Sequence, residues 1–598
     1  MKQLRFYLPL TVILGFFFFM APKYIQGGDT SELVMASYHR LVAHPPGYPL
    51  FVWLQFFWTH LFEFSSVFWR ASILSCVLGV IALAGLSLHL KDSNKTLLSV
   101  LLMVVALKPE VLESSVLPDV FSLHAVFIAL IGHFFLFSPH QKKHSAVIFL
   151  FILSLTNHHT TVLLFPIFLY SLWHLIIRKE YRTLMLAAGT GTVLFIALYL
   201  SIFLLNPKHP LSWGEINNLS ALVRHFLRTD YGTFQLAASK SSKGNEAFIF
   251  MLKNLWPLFL IGMVVVGLAI KDKVSTLKTL PFLTWSAALL ITLAFPLIMN
   301  VTSEHVGAEV LRRFHVMPIV VLTSWALFLL RGMKLTKMKG ILLFIATIPA
   351  LYSNILSTSG FLNLRNDSVI EDYAKNLYSI GKSKTPSVIV AETDTSYFAL
   401  RYLQSFDQDP KATKIAIVSL PLFFHPWYLV KVRSRVPDFN LPRSEEIYLK
   451  RHINKDQDIF KPNLARIRFF LTKGYKEGSK YKVTFFPLGR MLEEGKGVLF
   501  QDFPIEMNTT PEINYQGPQA FTKLKLFFEY SHFDYAKGVE KALANDFTGA
   551  QKSMEEAISK VPYAYPAMSS LCMNFPDQYN FCKSTELQEL EEKTLYFY

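Results

Sequence analysis

The sequence predicts a polytopic α-helical membrane protein that ends in a soluble α/β and helical part. Hydrophobic residues make up 52% of the 598 residues, aromatic residues 15% and charged residues only 17%. Ordinary soluble domains contain about a quarter charged residues. The long apolar runs all lie before Leu356. We therefore predict a membrane domain over 1–356, a soluble α/β domain over 357–525 and a helical region over 526–598.

Eleven apolar segments are long enough to be considered as membrane spans. They cover approximately 6–22, 70–90, 96–107, 116–137, 146–157, 160–177, 183–205, 248–270, 280–299, 315–330 and 341–356. Two of them are short enough to be partial or tilted spans. The first has the charged start and apolar core of a secretory signal but no small-x-small cleavage site, so we expect a retained anchor.

The orientation depends on the apolar stretch 48–64, because a crossing there would reverse every later loop. If this stretch does not cross, the basic loops that follow all lie on the cytoplasmic side, as the positive-inside rule requires. We therefore predict an aromatic-rich helix at the outer interface, where Tyr48, Trp53 and Trp58 are favoured. The loop around Asp29, the long outer loops and the whole C-terminal part then share the non-cytoplasmic face.

The formal net charge of +16 does not indicate a nucleic-acid partner. Many Lys and Arg residues lie in short loops between apolar segments, where they set orientation in the lipid bilayer. No run of basic residues interleaved with aromatic residues resembles a nucleic-acid groove, so we exclude that partner. The three cysteines give no metal cluster. Cys572 and Cys582 could form a bridge in an oxidising compartment, although two free thiols are the expected state.

The region after Asn363 has the pattern of a soluble α/β domain. The apolar run 387–391 (SVIVA) predicts a strand, Asp394 and Thr395 can cap a following helix, and 415–420 predicts a second strand. Nearer the C-terminus, small residues and a proline stand at the spacing of a 34-residue tetratricopeptide repeat (TPR). These residues are Gly538, Ala550, Ala557 and Pro562.

Two acids, Asp29 and Glu32, come just after the first apolar span. At the headgroup level a base can meet both the polar end of a lipid-linked substrate and a water-borne acceptor. The alternative for a lone acid is a solvated loop residue. Asp119 begins a later span, where a functional acid and an acid stabilised by the helix dipole are equally good interpretations.

Two basic clusters fall on the same predicted face. His158 and His159 lie in the turn TNHHTT, and adjacent histidines point to different faces of a helix, so this pair alone does not predict a metal site. One of them could donate to a phosphate or carboxylate, and the alternative is a hydrated polar turn. Arg312 and Arg313 precede a span, where a guanidinium fork suits a phosphate and the alternative is contact with lipid headgroups.

Five segments carry a resemblance to a known family. They are DTSEL with AHPPGYPLF (29–51), PDVFSLHAVF (118–127), LTNHHTTVLLFP (155–166), Trp213-Gly214, and NLYSIGKSKTPSVIVAETDTSYFALRYLQ. The chain resembles the polytopic GT-C glycosyltransferases, and within them the family that includes the O-mannosyltransferase acting on plexin-type receptors. It departs from the relatives at Asp119, where Glu is expected, and at Thr30, where Ser or another small residue is common.

The resemblance implies a GT-C-like membrane domain that transfers a sugar from a polyprenyl phosphate with inversion. It implies Asp29 as the base, with acceptor binding or support from Glu32, His44, Tyr48, Asp119 and Trp213. The donor phosphate would be held by candidates among His158, His159, Arg312 and Arg313. A divalent cation, held by Glu32 and Asp119, is an alternative role for these acids.

The implied substrate is a sugar such as mannose, and the implied acceptor is a protein or glycan hydroxyl, with Ser or Thr of exported proteins as the first choice. Membrane lipids surround the protein. A bacterial inner membrane with the active site and C-terminal part on the periplasmic side fits these features. Two other classes stay open: a lipid or small-molecule transporter or flippase, and an inactive membrane scaffold.

Overall fold

The structure is a computed structural model that describes most of the chain. The described residues are 4–87, 95–138, 143–229, 244–299, 301, 303, 305–333, 336–383, 387–391, 393–419, 421–435, 482–486, 519–561 and 564–583. The chain divides into two compact units. The membrane unit holds Met1–Lys23 and Leu33–Asp367, and the soluble unit holds Tyr24–Glu32 and Ser368–Tyr598. The predicted domain limits at 356/357 and 525/526 stay predictions.

The chain up to Asp367 is helical wherever regular structure is described. Its α-helices are α1 (Leu4–Met20), α2 (Thr30–Tyr38), α3 (Pro49–Leu61), α4 (Val67–Ser87), α5 (Lys95–Ala106), α6 (Pro109–Val116), α7 (Val120–Gly132), α8 (Lys143–Ser154), α9 (Phe165–Ile177), α10 (Tyr181–Leu200), α11 (Leu219–Phe226), α12 (Gly244–Lys271), α13 (Leu280–Ala294), α14 (His305–Phe314), α15 (Val316–Arg331) and α16 (Lys337–Thr358). A π-helical turn, His133–Phe137, extends α7, and a 3-10 turn, His159–Leu164, precedes α9.

Each of the eleven predicted apolar segments coincides with one of these helices, which confirms a polytopic helical membrane protein. Eight stretches of the described chain are long and apolar enough to cross a bilayer. They are Val67–Leu86, Val120–Phe137, His159–Ile177, Tyr181–Leu204, Gly244–Lys271, Leu280–Ile298, Gly307–Arg331 and Lys337–Ser379. The count of eleven spans therefore stays a prediction. The stretch after the paired prolines is helical as predicted, as α3, and its interfacial position also stays a prediction.

Local chemistry explains where several helices begin. Proline occupies the first turn of α3, α6, α9 and α13, where its missing N–H removes no intrahelical bond. Asp119 caps α7, because its Oδ1 accepts from the backbone N–H of Val120 at 2.6 Å. Asn218 caps α11 by accepting from Ala221 N–H at 2.8 Å.

Helix α7 lies within the membrane unit and is buried along almost its whole length. It packs against α4, α8 and α15, while α6 packs against α4 and α7, and α14 packs against α6 and α15. Nearly every α7 side chain from Val120 to Gly132 is buried. The start of α7 is therefore fixed by neighbours on several sides, and it brings the polar residues beside it close to α6 and α14.

The soluble unit contains a three-stranded parallel sheet. Its strands are β1 (Ser387–Ala391), β2 (Ile415–Ser419) and β3 (Lys482–Phe486), in the order β2-β1-β3, with Ser387 opposite both Ile415 and Lys482. Helices α17 (Val369–Ser383), α18 (Asp394–Phe406) and α19 (Pro426–Arg435) accompany the strands. Parallel strands joined through helices confirm the predicted α/β arrangement.

The predicted cap of α18 is wrong by one residue. Thr393 is the N-cap, and its Oγ1 accepts from the backbone N–H of Ser396 at 3.2 Å. A capping residue has extended backbone just before the helix, and Thr393 has φ −117° and ψ 152°. Asp394 and Thr395 already belong to the first turn of the helix.

Three further helices follow near the C-terminus: α20 (Ala520–Leu543), α21 (Phe547–Lys560) and α22 (Tyr565–Asn574). Helices α20 and α21 pack closely, and a Cβ on Gly538 would lie 3.1 Å from the Ala550 carbonyl oxygen. Ala557 is fully buried in the core below them. The predicted small residues thus lie where helices meet. Pro562 lies outside the described residues, and the TPR assignment stays a prediction.

The expectation of two free C-terminal thiols is wrong, because Cys572 and Cys582 form a disulfide with a Cα–Cα distance of 5.3 Å. The end of α22 and the 3-10 turn Asn580–Lys583 bring the two residues within bridging range. Cys76 is a free and fully buried cysteine.

Protein purified from its membrane without reductant should therefore contain one free thiol, that of Cys76. Alkylation in denaturant followed by intact-mass measurement should give one adduct before reduction and three after it. The Cys572→Ser variant should give two adducts without reduction, because Cys582 is released. Three adducts on the unreduced wild-type protein would contradict the bridge.

Candidate functional site

A polar pocket lies in the membrane unit between α6, the start of α7 and the end of α14. It has an empty volume of about 270 Å³, part of it open to solvent. The residues that line it are Glu110, Glu113, Ser114, Leu117, Asp119, Phe121, Arg312 and Arg313. Three carboxyl groups and two guanidinium groups therefore face one small cavity. Buried carboxyl groups beside half-buried guanidinium groups in a membrane unit indicate a functional site.

Asp119 and Arg313 form an ion pair in this pocket, with 3.6 Å between Asp119 Oδ2 and Arg313 Nη1. The other oxygen of Asp119 is the one that caps α7. The structure confirms Asp119 as an acid at a helix N-terminus, and a functional role for this residue stays a prediction. The same carboxylate that begins the helix also orients a guanidinium at the pocket.

Glu110 lies three residues before Glu113 on α6 and is an ionised acid. Its Oε2 is 3.5 Å from Lys108 Nζ, and its Oε1 is 3.6 Å from His315 Nδ1. Burial by itself would raise the pKa of Glu110, but the charge of Lys108 and the contact with His315 lower this pKa to about 2. Glu110 therefore carries a negative charge at neutral pH.

Glu113 behaves in the opposite way. Burial raises the pKa of the Glu113 carboxyl to about 7, although Arg313 and Arg312 lower it and Glu309 and Asp119 raise it further. About half of the Glu113 side chains are then protonated near neutral pH. A carboxyl with a strongly raised pKa in a cleft is a candidate for acid–base or hydrogen-bonding chemistry.

The sequence reasoning missed Glu110 and Glu113. The available signal was the short polar run PEVLESSV between two apolar segments, with two acids three residues apart. Residues three apart lie on the same face of a helix, so both side chains project from one side of α6. Two acids between apolar segments are candidate functional residues for the same reason as Asp119, which the sequence reasoning did select.

The histidine turn adjoins the pocket through Phe121. The Phe121 ring lines the pocket, and its centroid is 4.8 Å from that of His158 and 5.4 Å from that of Phe314. His158 Nδ1 lies 2.6 Å from Thr160 Oγ1. Burial lowers the pKa of His158 well below its usual value, so its imidazole is neutral at pH 7. A neutral imidazole could serve a phosphate as a hydrogen-bond donor but not as a cation.

The turn is held against α7 by an amide. Asn157 Nδ2 donates to the Val120 carbonyl oxygen at 3.1 Å. His159, in contrast, lies beside residues of α10 and α11. Its Nε2 is 3.4 Å from Tyr199 OH, and its ring centroid is 4.7 Å from that of Phe226. The two adjacent histidines thus have different partners, as their positions in the sequence predicted.

Three further predicted residues gather around His158. Tyr48 OH is 3.1 Å from His44 Nε2, and the ring centroids of Tyr48 and His158 are 6.2 Å apart. The ring centroids of His44 and Trp213 are 6.0 Å apart. Trp213 reaches this position because its backbone N–H donates to the Val42 carbonyl oxygen at 2.9 Å. The loop between α10 and α11 is thereby joined to the segment that carries the paired prolines.

Asp29 and Glu32 belong to the soluble unit, in the segment Tyr24–Glu32. The side chain of Asp29 is half-buried and that of Glu32 is buried. The structure thus brings Asp119, Arg312 and Arg313 into one pocket, and His44, Tyr48, Trp213 and His158 into an adjoining cluster. The roles of all ten selected residues stay predictions. Among the described residues, no group of three or more His, Cys, Asp or Glu side chains could hold a metal ion.

The helical unit and its charged pocket define a multi-pass membrane protein with a buried polar site. Residues 29–184, which include Asp29, both acids of α6, Asp119 and the histidine turn, match the family model described as the protein O-mannosyl-transferase TMEM260 N-terminal domain. This match lies over three of the five motif segments and supports the resemblance found in the motifs.

Two relatives and one solved structure are similar to this chain. Protein O-mannosyl-transferase TMEM260 of Mus musculus is 27% identical over 461 residues, which are 70% of this chain and 63% of the mouse protein. The Dictyostelium discoideum protein of the same name is 28% identical over 237 residues, 36% of this chain and 29% of that protein. The chain therefore spans less than two thirds of either relative. ArnT from Cupriavidus metallidurans, solved with undecaprenyl phosphate, is similar with a TM-score of 0.45 and 13% identity, over 70% of this chain and 90% of that one.

The raised pKa of Glu113 makes a prediction about stability against pH. Between the usual carboxyl pKa and about 7, the folded protein binds more protons than the unfolded chain, so stability should fall as pH rises through this window. Glu113→Gln removes this dependence, which amounts to at most about 3 kcal/mol. Glu110 does not contribute between pH 5 and 8, because its stabilisation is lost only as pH falls towards about 2.

Thermal unfolding of the purified protein in detergent at pH 5, 6, 7 and 8 tests this prediction. The Tm of Glu113→Gln minus the Tm of the wild type should increase as pH rises. Glu63→Gln, at an exposed carboxyl, is the control and should follow the wild type. Parallel curves for wild type and Glu113→Gln would show that Glu113 is already ionised throughout this range.

Proposed function

We propose that this protein is a membrane glycosyltransferase that transfers a sugar, mannose as the first choice, from a polyprenyl-phosphate donor to an acceptor hydroxyl. Ser or Thr of an exported protein is the proposed acceptor. The observation that carries this proposal is the match of residues 29–184 to a domain described as that of a protein O-mannosyl-transferase. The names of the mouse and Dictyostelium relatives support the same class of activity.

The charged pocket is the proposed site of the donor phosphate. When the bond between the sugar and the phosphate breaks, negative charge grows on the phosphate and is stabilised by fixed cations and hydrogen-bond donors. Arg312 and Arg313 line the pocket, and the pairing of Arg313 with Asp119 fixes the direction of one guanidinium fork. Such forks bind phosphate with two parallel hydrogen bonds.

Glu113 has a proposed role beside these arginines. The carboxylates of Asp119 and Glu110 lie beside the cations Arg313 and Lys108, which offset their repulsion of a phosphate. An ionised Glu113 would add a further negative charge, whereas its protonated form can donate a hydrogen bond to a phosphate oxygen. Burial holds the pKa of Glu113 near 7, so the donating form is available at neutral pH. His158, which contacts the pocket residue Phe121, is a second neutral donor, and His159 is the less direct candidate.

Asp29 is the proposed general base. Its carboxylate takes the proton from the acceptor hydroxyl while the hydroxyl oxygen bonds to the anomeric carbon. The carbon–oxygen bond to the phosphate breaks on the opposite face, and its electron pair leaves with the phosphate, so the anomeric configuration is inverted. Glu32, His44, Tyr48 and Trp213 are the proposed supports for the acceptor.

The proposed location of the reaction is the non-cytoplasmic face of the membrane. The Cys572–Cys582 disulfide supports an oxidising compartment for the soluble unit, because such bonds seldom persist in the cytosol. A bacterial inner membrane stays a prediction, and the two similar O-mannosyl-transferases come from Mus musculus and Dictyostelium discoideum.

Asp29→Asn should lower the transfer rate by about a hundredfold or more, because removal of a general base typically costs 10²–10⁴. The measurement is the transfer of radiolabelled mannose from a polyprenyl phosphate to a peptide rich in Ser and Thr. Asp577→Asn, at an exposed carboxylate, is the control and should leave the rate unchanged. A transfer rate of Asp29→Asn close to that of the wild type would remove Asp29 from the mechanism. The absence of transfer by the wild-type protein would favour a transporter or scaffold.

Arg312→Ala and Arg313→Ala should each weaken use of the donor by about tenfold to a hundredfold, the cost of one charge-assisted contact. The measurement is kcat/KM for the donor in the same assay. Asp119→Asn should resemble Arg313→Ala, because it frees that guanidinium, while the exposed Arg182→Ala serves as the control. Wild-type donor use in both arginine variants would place the phosphate elsewhere.

A further inference from the structure

We propose that the soluble unit holds the Asp29 loop, residues Tyr24–Glu32, in the conformation that presents the carboxylate of Asp29 for reaction. Gln519, Thr395 and Glu371 are the positioning residues in this proposal. The inference rests on the proposed function, in which Asp29 is the base. It adds a role for side chains of the soluble unit that lie far from Asp29 in the sequence.

Gln519 binds both polar groups of one residue of the loop. Its Oε1 accepts from the Gly27 backbone N–H at 2.6 Å, and its Nε2 donates to the Gly27 carbonyl oxygen at 2.8 Å. Gln519 is 2% exposed, so water does not readily replace it. Buried backbone groups that lose their partners cost free energy. The side-chain amide of Gln519 therefore fixes the peptide groups two residues before Asp29.

Two other side chains hold the neighbouring N–H groups of the loop. Glu371 Oε2, on α17, accepts from the Ile25 N–H at 3.0 Å. Thr395 Oγ1, in the first turn of α18, accepts from the Gly28 N–H at 3.3 Å. Three N–H groups of the Asp29 loop are thus bound by three separate parts of the soluble unit.

The loop also fits closely against its surroundings. A Cβ on Gly27 would lie 3.0 Å from Gln519 Oε1 and 3.1 Å from both Ile370 Cδ1 and Thr395 Cγ2. Gly28 has φ +65°, a left-handed conformation that other residues rarely adopt. Within the loop itself, Thr30 Oγ1 donates to the Gly27 carbonyl oxygen at 2.9 Å. The backbone on both sides of Asp29 is therefore fixed, while the Asp29 side chain stays half-exposed.

This arrangement predicts a specific kinetic effect. A displacement of a reacting group by about 1 Å can cost a hundredfold in rate. Loss of the Gln519 contacts should thus lower kcat, since Asp29 would sample other positions. The KM for the donor should stay unchanged, because the proposed phosphate ligands Arg312 and Arg313 belong to the membrane unit. A merely structural role would not separate kcat from KM in this way.

The experiment compares Gln519→Leu with Gln408→Leu, which changes an exposed glutamine, in the full-length protein. Gln519→Leu should lower kcat by about tenfold to a hundredfold with the donor KM unchanged. Hydrogen exchange should become faster for the amides of Ile25, Gly27 and Gly28 while the β1 amides stay protected. Gln408→Leu should match the wild type in all three measurements.

Thr395→Val is the milder second variant and is decisive if Gln519→Leu also loses protection in β1. It removes one acceptor from the loop and should lower kcat by a smaller factor, again with the donor KM unchanged. If Gln519→Leu folds, a wild-type kcat in both Gln519→Leu and Thr395→Val overturns the positioning role. If Gln519→Leu unfolds, a wild-type kcat in Thr395→Val alone overturns it. Full activity of Asp29→Asn contradicts instead the proposed base, so the two proposals fail through different variants.

Discussion

The pocket of the membrane unit depends on the pairing of buried charges. Removing a carboxylate from water is unfavourable unless a cation and hydrogen-bond donors replace the water. Asp119 has Arg313 and the first N–H of α7, and Glu110 has Lys108 and His315. The Asp119–Arg313 pair joins the start of α7 to α14, and the Glu110–His315 contact joins α6 to the residue between α14 and α15. The interactions that make the charges tolerable therefore also hold the elements around the pocket together.

The need to pair a buried charge also separates the pKa values of two carboxyl groups that lie three residues apart in the sequence. Glu110 and Glu113 lie on the same short helix and are both buried. Lys108 lies within 3.5 Å of Glu110 and keeps it ionised, whereas for Glu113 burial outweighs the two arginines and favours the protonated form. Neighbouring acids with widely separated pKa values are a recurring arrangement where a site needs both a fixed charge and a proton donor.

The sequence was sufficient for features that depend on local chemistry. Apolar runs such as 120–137 predicted helices, SVIVA predicted β1, and the motif residues of the histidine turn and Asp119 were found next to the pocket. Features that depend on distant contacts were not predictable. The two bonds between Gly27 and Gln519 join residues 492 positions apart, and no local pattern marks either residue. The disulfide between Cys572 and Cys582 likewise required the geometry after α22.

The assignment of residues 24–32 to the soluble unit has a consequence for how this chain could be divided. A fragment ending at Asp367 would keep every helix from α1 to α16, yet nine residues near its start would lose the surface against which they are folded. The two units are therefore not interchangeable modules. A chimera that joined this membrane unit to a foreign C-terminal domain would need that domain to supply hydrogen-bond partners for the segment between α1 and α2.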